Sequence, residues 1–253
     1  MIRIEHKDVV GRGGESAGRI TRIILDRADK KNALTPAMLD GLIAGATAAA
    51  GSRAIVLEGE GAAFCSGFDL TRCRENSDAL RVLLDGLSRA VRTLRRIEAP
   101  VVVAAHGAAL AGGCALLGGA DLVVTHTDAR IGYPVVRLGI SPAISAPFLR
   151  LAVGDGRTRE RMLDSALISG WEAFRTGLAH ECLEDAGKVR ARAVAIAEGL
   201  AAKPAWGLAA TKRWMNEVDG TDLDEWPDRA LAASMSIVGS EEERERLAAL
   251  WKA

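Results

Sequence analysis

The stretch PVVVAAHGAALAGGCALLGGADLVVT, residues 100–125, decides the fold of this chain. It begins with a β-branched run, passes through a glycine turn into an apolar run, and ends in a second β-branched run. Residues 100–120 contain no Asp, Glu, Lys or Arg and are long enough on paper to span a membrane. The proline, the histidine and the repeated glycines favour a strand, a turn and a buried helix instead.

The same alternation continues on the N-terminal side of this stretch. Residues 19–25 and 53–57 are rich in Ile and Val and predict strands. Between them, Thr35 followed by Pro36 is a typical helix start, with a hydroxyl at the N-cap and proline at the first helical position. Apolar residues at helical spacing over 80–94 predict a long amphipathic helix. This order predicts βαβ units and a largely parallel sheet.

The C-terminal part of the sequence has a different pattern. Beyond about residue 143 the strand signal fades, and helices are predicted at 186–203, 205–217 and 228–250. We therefore predict an α/β core over residues 1–195 and a helical region over residues 196–253.

The composition excludes several classes of protein. The chain has 253 residues, 49% of them hydrophobic, which excludes disorder. Its 33 basic and 33 acidic residues give no basic surface for nucleic acid. The four cysteines lie far apart without zinc-site or disulfide spacing, so no metal is expected. The N-terminal MIRIEHKDVV lacks the apolar run of a secretory signal, so we expect a cytoplasmic protein without membrane contact.

Two glycine-bearing segments each follow a predicted strand, at residues 61–70 (GAAFCSGFDL) and 106–116 (HGAALAGGCAL). In open α/β sheets, ligand sites lie beyond the carboxyl ends of the strands. Glycines there allow close backbone approach, and two converging N–H groups would bind a developing oxyanion. Tight turns and close helix packing would also explain these glycines. Neither segment matches a phosphate-binding loop.

Several motifs, in matching order and spacing, resemble the crotonase (enoyl-CoA hydratase/isomerase) superfamily. RADKKNAL at 27–34 is similar to the family segment R-x-x-K-x-N-A-L, and GEGAAFCSGFDL at 59–70 is similar to G-x-G-x-A-F-C-A-G-x-D-L. HGAALAGGCAL at 106–116 resembles H/N-G-x-A-x-G-G-G-x-x-L, and Asp121 and the RLGI segment at 137–140 match later motifs. The resemblance extends over roughly residues 2 to 215.

The resemblance implies a spiral of ββα units with a helical C-terminal region that supports a homotrimer or homohexamer. It implies an acyl-CoA thioester as the partner, with coenzyme A as part of the substrate and no separate cofactor. The backbone amides of Phe68 and Gly112 would form the oxyanion hole. The implied substrate-binding residues are Ala28, Lys30, Ser66, Asp69, Leu70, Gly113, Ala115 and Val135.

Two positions depart from the family pattern. Family hydratases use two glutamates as general acid and base, and this sequence has Ala115 and Val135 there. A methyl and an isopropyl group cannot move protons, so standard hydration is in doubt. The remaining interpretations are an enolate-stabilising decarboxylase, hydrolase or isomerase with another acid or base, and a catalytically silent paralogue that binds acyl-CoA.

Glu75 and Tyr133 are the candidates to replace the missing acids. Tyr133 could also pack with its hydroxyl hydrogen-bonded, and His106 is favoured as a satisfied structural histidine rather than a catalyst. The run SPAISAP at 141–147 resembles relatives that hydrate glutaconyl-type or branched acyl-CoAs, which implies a larger acyl group. Five tryptophans are predicted to pack in the core or between subunits: Trp171, Trp206, Trp214, Trp226 and Trp251.

Overall fold

The computed structural model describes residues 1–10, 14, 16–74, 76 and 78–250. The strands in these residues are β1 (Ile2–Val10), β2 (Ser16–Leu25), β3 (Ala54–Gly59), β4 (Val101–Ala105), β5 (Ala108–Leu110), β6 (Leu122–His126), β7 (Arg130–Gly132), β8 (Ile168–Ser169) and β9 (Glu181–Leu183). The α-helices are α1 (Pro36–Ala48), α2 (Asp78–Arg96), α3 (Gly112–Leu116), α4 (Ala146–Leu163), α5 (Gly170–Thr176), α6 (Val189–Ala201), α7 (Ala205–Asp219), α8 (Glu225–Met235) and α9 (Glu241–Leu250).

The described strands form two sheets. The larger has the order β1-β2-β3-β4-β6-β9, and the smaller has the order β5-β7-β8. Strand β1 is antiparallel to β2, whereas the pairs from β2 to β9 are parallel. The predicted α/β class, its largely parallel sheet and its helical C-terminal region are confirmed.

The central strands β3 and β4 of the larger sheet are buried on both faces. In β3, Ile55 and Leu57 belong to the main core, which includes residues of α1 and α2, while Ala54 and Val56 face a second core formed with α6. Such strands contain continuous apolar runs because both of their faces are covered. The predicted start of α1 is confirmed, since the Thr35 hydroxyl accepts a hydrogen bond from the Met38 N–H at 3.2 Å.

Two predictions for the C-terminal part are corrected by the structure. The strand pattern does not end at residue 143, because β9 joins the larger sheet beside β6. The single helix over 228–250 is wrong, because α8 and α9 are separated by Gly239 at φ +84°. The Ser240 hydroxyl accepts a hydrogen bond from the Glu243 N–H at 3.2 Å and starts the new helix.

The helical region is attached to the core by a buried ion pair. The Lys212 ammonium of α7 lies 2.6 Å from the Asp121 carboxylate and donates to the Ala99 carbonyl at 3.0 Å. The predicted domain boundary at residue 195 falls inside α6, which packs on the sheet, and it stays a prediction. Among the described residues, no helix combines the length and the hydropathy that crossing a bilayer requires.

Candidate functional site

The two glycine-bearing segments are joined by backbone hydrogen bonds. The Cys65 N–H donates to the Ala108 carbonyl at 3.0 Å, and the Leu110 N–H donates to the Cys65 carbonyl at 2.9 Å. Residues 61–70 therefore run beside β5. The sequence predicted that both segments follow strands, and the structure brings them into direct contact.

A third segment fixes the orientation of the Phe68 amide. The Leu34 N–H donates to the Gly67 carbonyl at 2.7 Å, and the Asp69 N–H donates to the Leu34 carbonyl at 2.8 Å. Successive backbone groups of an extended segment point to opposite sides, so the Phe68 N–H points away from Leu34. Within the described part of the chain, this N–H has no hydrogen-bond acceptor.

The Gly112 amide belongs to the first residue of α3, where helix geometry supplies no acceptor. None of the described residues accepts a hydrogen bond from it. Ala111, just before it, has φ +52° and ψ −115°, a conformation that glycine adopts far more easily. A Cβ atom built on Gly67 would lie 3.7 Å from the Gly112 nitrogen, so the two segments meet at these residues.

Phe68 and Gly112 lie at a small cavity of about 30 Å³. The other residues around it are Leu84, Leu87, Ala111, Ala115, Tyr133, Val135, Ile140, Ser141, Pro142, Ile144 and Ser145. This volume accommodates only two or three water-sized groups, at about 10–15 Å³ each. The cavity is smaller than the larger acyl group implied by residues 141–147 would need.

The structure places Ala115 and Val135, the two positions that depart from the family pattern, together at this cavity. Ala115 lies one turn after Gly112 in sequence, and its N–H donates to the Ala111 carbonyl at 2.9 Å. Val135 lies in a 3₁₀ turn over Pro134–Leu138. The positions at which a hydratase needs carboxylates therefore present apolar side chains to the cavity. Glu75 lies outside the described residues.

Tyr133 is the largest hydroxyl-bearing side chain at the cavity. It is 3% exposed, and its hydroxyl lies beside the Ser145 hydroxyl and the Cys114 thiol. Burial raises the pKa of Tyr133 well above its ordinary value, and the neighbouring Cys114 raises it further. The phenol is therefore neutral at physiological pH and can donate a proton or a hydrogen bond.

The residues implied in coenzyme A binding form a strip over neighbouring loops, which is exposed at Ala28 and Lys30 and half-buried at Ser66, Asp69 and Leu70. Ala28 and Lys30 lie in a 3₁₀ turn over Ala28–Lys30. The Ser66 N–H donates to the Lys31 carbonyl at 3.0 Å, which places Ser66 beside this turn. Leu70 begins a 3₁₀ turn over Leu70–Arg74 and packs against the main core.

Asp69 is held by contacts within the protein. Its carboxylate pairs with the Arg27 guanidinium at 2.7 Å and accepts the Thr71 hydroxyl and N–H at 2.6 and 3.1 Å. Partial burial raises the pKa of Asp69, but the bonds from Thr71 and Arg27 outweigh this effect and lower it overall. Asp69 thus orders the loop that carries the Phe68 amide.

Two further residues organise the loops by packing. Gly113 lies against Cys65, and a Cβ on Gly113 would approach the Cys65 carbonyl oxygen to 2.5 Å. Asn32 is fully buried at φ +56°, and its side-chain amide donates to the Glu60 and Ala63 carbonyls at 2.9 and 2.8 Å. The sequence reasoning missed this role of Asn32, although the residue stands inside the R-x-x-K-x-N-A-L motif.

His106 has the structural environment that was favoured for it. It is 5% exposed, and its Nε2 lies 3.0 Å from the Gly61 carbonyl oxygen. It is absent from the residues that line the cavity. Together, the sheet and the joined loops define an α/β protein in which the residues of two backbone amides without a described acceptor line one mainly apolar cavity.

Comparison with known proteins identifies the family. The sequence model of the enoyl-CoA hydratase/isomerase family matches residues 15–235. A putative enoyl-CoA hydratase of Thermus thermophilus is 31% identical over 216 residues, which cover 82% of this chain and 85% of that protein. The chain therefore belongs to the enoyl-CoA hydratase/isomerase family, the crotonase superfamily of enzymes.

Solved structures agree with this assignment. An enoyl-CoA hydratase/isomerase from Mycobacterium paratuberculosis has a TM-score of 0.84 and 25% identity, over 98% of this chain and 97% of that one. One from Xanthobacter autotrophicus has a TM-score of 0.83 and 27% identity, over 99% of this chain and 96% of that one. The fold is therefore crotonase-like.

Proposed function

We propose that this chain binds an acyl-CoA thioester and stabilises its enolate with the backbone amides of Phe68 and Gly112. The observation that carries the proposal is that both residues line one cavity and that neither N–H finds an acceptor in the described part of the chain. A buried donor without an acceptor costs about 1–3 kcal/mol, and a bound thioester oxygen would remove that cost. Two preorganised donors favour the enolate more than the thioester, because the negative charge develops on that oxygen.

The coenzyme A arm would lie along the strip formed by Ala28, Lys30, Ser66, Asp69 and Leu70. Lys30 is exposed and free to meet a phosphate, whereas Asp69 is already paired with Arg27. We therefore assign Asp69 to ordering the loop rather than to direct contact with the ligand. Gly113 serves the site in the same indirect way, through its contact with Cys65.

Acyl-CoA binding without turnover is the second candidate. It is favoured by the cavity lining, which has Ala115 and Val135 at the two acid positions and no carboxylate among the described residues. The two candidates share the amide site and differ in whether the bound thioester is converted to an enolate.

We also propose that copies of the chain associate through the helical region. The described tryptophans of this region are not core residues, because Trp206 is 89% exposed, Trp214 62% and Trp226 58%. Met215 and Val218 are also exposed on α7. Large exposed apolar residues that cluster on neighbouring helices are typical of an interface. Sedimentation of the purified protein would distinguish a trimer or hexamer from a monomer.

The amide site is tested with acetyl-CoA labelled with ¹³C at the thioester carbonyl. In the wild type, two hydrogen bonds to the carbonyl oxygen should move its resonance downfield on binding. Gly112→Pro removes one donor and should lose much of this shift. Gly112→Ala keeps the N–H and is the matched control, although its Cβ would meet the Phe68 ring at 3.1 Å. Equal shifts in the proline variant and the wild type would refute the proposed site.

A further inference from the structure

The chemistry that the cavity beside the two amides can perform depends on its polar side chains. Its polar side chains are Tyr133, Ser141 and Ser145, and the described residues place no carboxylate and no imidazole around it. Tyr133 and Ser145 are 3% and 4% exposed. As far as the described residues go, the cavity therefore offers hydroxyl donors and no group that would remove a proton at neutral pH.

Hydroxyl donors without a base among the described residues favour one of the chemical routes to a thioester enolate. Removing a proton from the α-carbon requires a base, and adding water to a double bond requires a group that activates the water. Loss of carbon dioxide from an α-carboxylate requires neither, because the electron pair comes from the broken carbon–carbon bond. Only a proton donor is then needed to complete the reaction.

We propose that the substrate is a short acyl-CoA thioester with a carboxylate on its α-carbon, and that the protein decarboxylates it with the Tyr133 hydroxyl as proton donor. This inference rests on the proposed function, because the enolate must form at the Phe68 and Gly112 amides.

The step needs one water molecule as its source of a proton and no other reactant. The bond between the α-carbon and the carboxylate breaks, carbon dioxide leaves, and the electron pair forms the enolate with its negative charge on the thioester oxygen. The Tyr133 hydroxyl then transfers its proton to the α-carbon, and the tyrosinate takes a proton from water. The products are carbon dioxide, the thioester with hydrogen in place of the carboxylate, and the hydroxide left by the water.

The side chains around the cavity favour the movement of negative charge from the carboxylate of the substrate to the thioester oxygen. A carboxylate among Ala115, Val135 and Ile140 is poorly solvated, whereas carbon dioxide is neutral and the charge ends at two amide donors. Glutamates at positions 115 and 135 would repel the carboxylate of the substrate, and the actual alanine and valine do not. The cavity of about 30 Å³ also suits a group as small as a carboxylate.

The test uses malonyl-CoA and methylmalonyl-CoA as probes with the full chain. We expect release of carbon dioxide and formation of acetyl-CoA and propionyl-CoA. In D₂O, the propionyl-CoA should carry one deuterium with a single configuration. Tyr133→Phe should lower kcat by on the order of 10²-fold or more with little change in KM. Its product should lose the single configuration, which a purely structural role of Tyr133 does not predict.

Two further variants isolate the other parts of the proposal. Ala115→Glu should have a kcat/KM at least about tenfold below that of the equally large but neutral Ala115→Gln, because like charges repel. Glu75→Gln should keep Tyr133-dependent turnover. Thermal unfolding of each variant checks that it folds.

The outcomes separate this inference from the proposed function. If the labelled acetyl-CoA shows its downfield shift but neither probe releases carbon dioxide, decarboxylation is wrong and the amide site stands. If acetyl-CoA shows no shift and the probes do not react, both proposals fail. If Glu75→Gln abolishes turnover while Tyr133→Phe does not, Tyr133 is not the donor.

Discussion

The cavity has two walls that are specified by the sequence in different ways. The amide wall consists of the backbone of Phe68 and Gly112, and it is fixed by hydrogen bonds to Leu34 and β5 and by close packing between the loops. The side-chain wall consists of Ala115, Tyr133 and Val135. A backbone N–H donor is retained after any substitution, other than to proline, that leaves the backbone in place. A side-chain acid or base is lost when its residue is substituted.

The chain keeps the family fold with Ala115 and Val135 at the two positions where the resemblance implies glutamates. The amide wall depends on space, as at Gly113, where a Cβ would collide with Cys65, and on backbone conformation, as at Ala111. The side-chain wall contributes little to these contacts, so its chemistry can change independently. Substitutions in one wall should therefore leave the other wall intact.

Restoring both acids should restore hydration. In Ala115→Glu combined with Val135→Glu, the hydration rate of crotonyl-CoA should rise by on the order of 10²-fold or more, because general acid–base catalysis contributes this much. The loss of enoyl-thioester absorbance measures it. The double glutamine variant has the same bulk without the charges and should not gain activity. Equal rates in the two double variants would contradict the independence of the walls.

Adding one methyl group to the packing behind the amide wall should destabilise the fold. Gly113→Ala places a Cβ about 2.5 Å from the Cys65 carbonyl oxygen, so the backbone must shift. We expect a loss of about 1–3 kcal/mol in the free energy of unfolding, measured with urea.

The control for this variant is Gly199→Ala in α6, where a Cβ would meet nothing within 4 Å. It should stabilise the protein by up to about 1 kcal/mol, because alanine favours the helix. If both alanine variants changed the stability by the same amount, close approach at Gly113 would not be what fixes the loop.

The contribution of Asp69 to the stability of the protein, through the loop that carries the Phe68 amide, should depend on pH. Its pKa is lowered in the folded state, so its contribution to stability is present above the ordinary pKa of about 3.9 and is lost as the pH falls through the lower folded value. Asp69→Asn should therefore cost about 1 kcal/mol at pH 7 and less below that range. Urea unfolding of the wild type and the variant, at pH 7 and at a pH below that range, measures the difference. A cost that stays constant with pH would show that the Arg27 pair does not stabilise the loop.

Relief of the strain at Ala111 should have a comparably small effect, of opposite sign. Its φ of +52° is unfavourable for alanine, by about 1–3 kcal/mol, and glycine would remove that strain at an entropic cost of about 0.5–1 kcal/mol. Ala111→Gly should therefore raise the unfolding free energy by roughly 1 kcal/mol without loss of acetyl-CoA binding. A less stable variant would show that the alanine is not strained.

Much of the fold could be predicted from the sequence because its signals are local. The Ile and Val runs gave strands β2 and β3, and the Thr35-Pro36 start of α1 was correct. Strand β9 was missed because three residues carry almost no periodicity, and its assignment depends on pairing with the distant β6. The break between α8 and α9 had a readable signal, since Gly239 precedes a serine with a glutamate three residues later.

The candidate site was only partly predictable for a related reason. The motifs pointed to Phe68, Gly112, Ala115 and Val135, and the structure places these residues around one cavity. The bonds of Asn32 and the packing of Gly113 on Cys65 depend on which loops meet in space. The environment of Tyr133 likewise comes from Cys114 and Ser145, which lie in two different quoted segments and meet only in the folded chain. Such contacts leave no periodic pattern in the sequence.

The most direct test of the central claim is a crystal structure of the protein with a short acyl-CoA thioester bound. We expect the thioester oxygen to lie within about 3.2 Å of both the Phe68 and the Gly112 nitrogens. We also expect the acyl group to enter the cavity between Ala115, Val135 and Tyr133. A thioester bound elsewhere, or one whose oxygen contacts neither amide, would show that these amides are not the binding site.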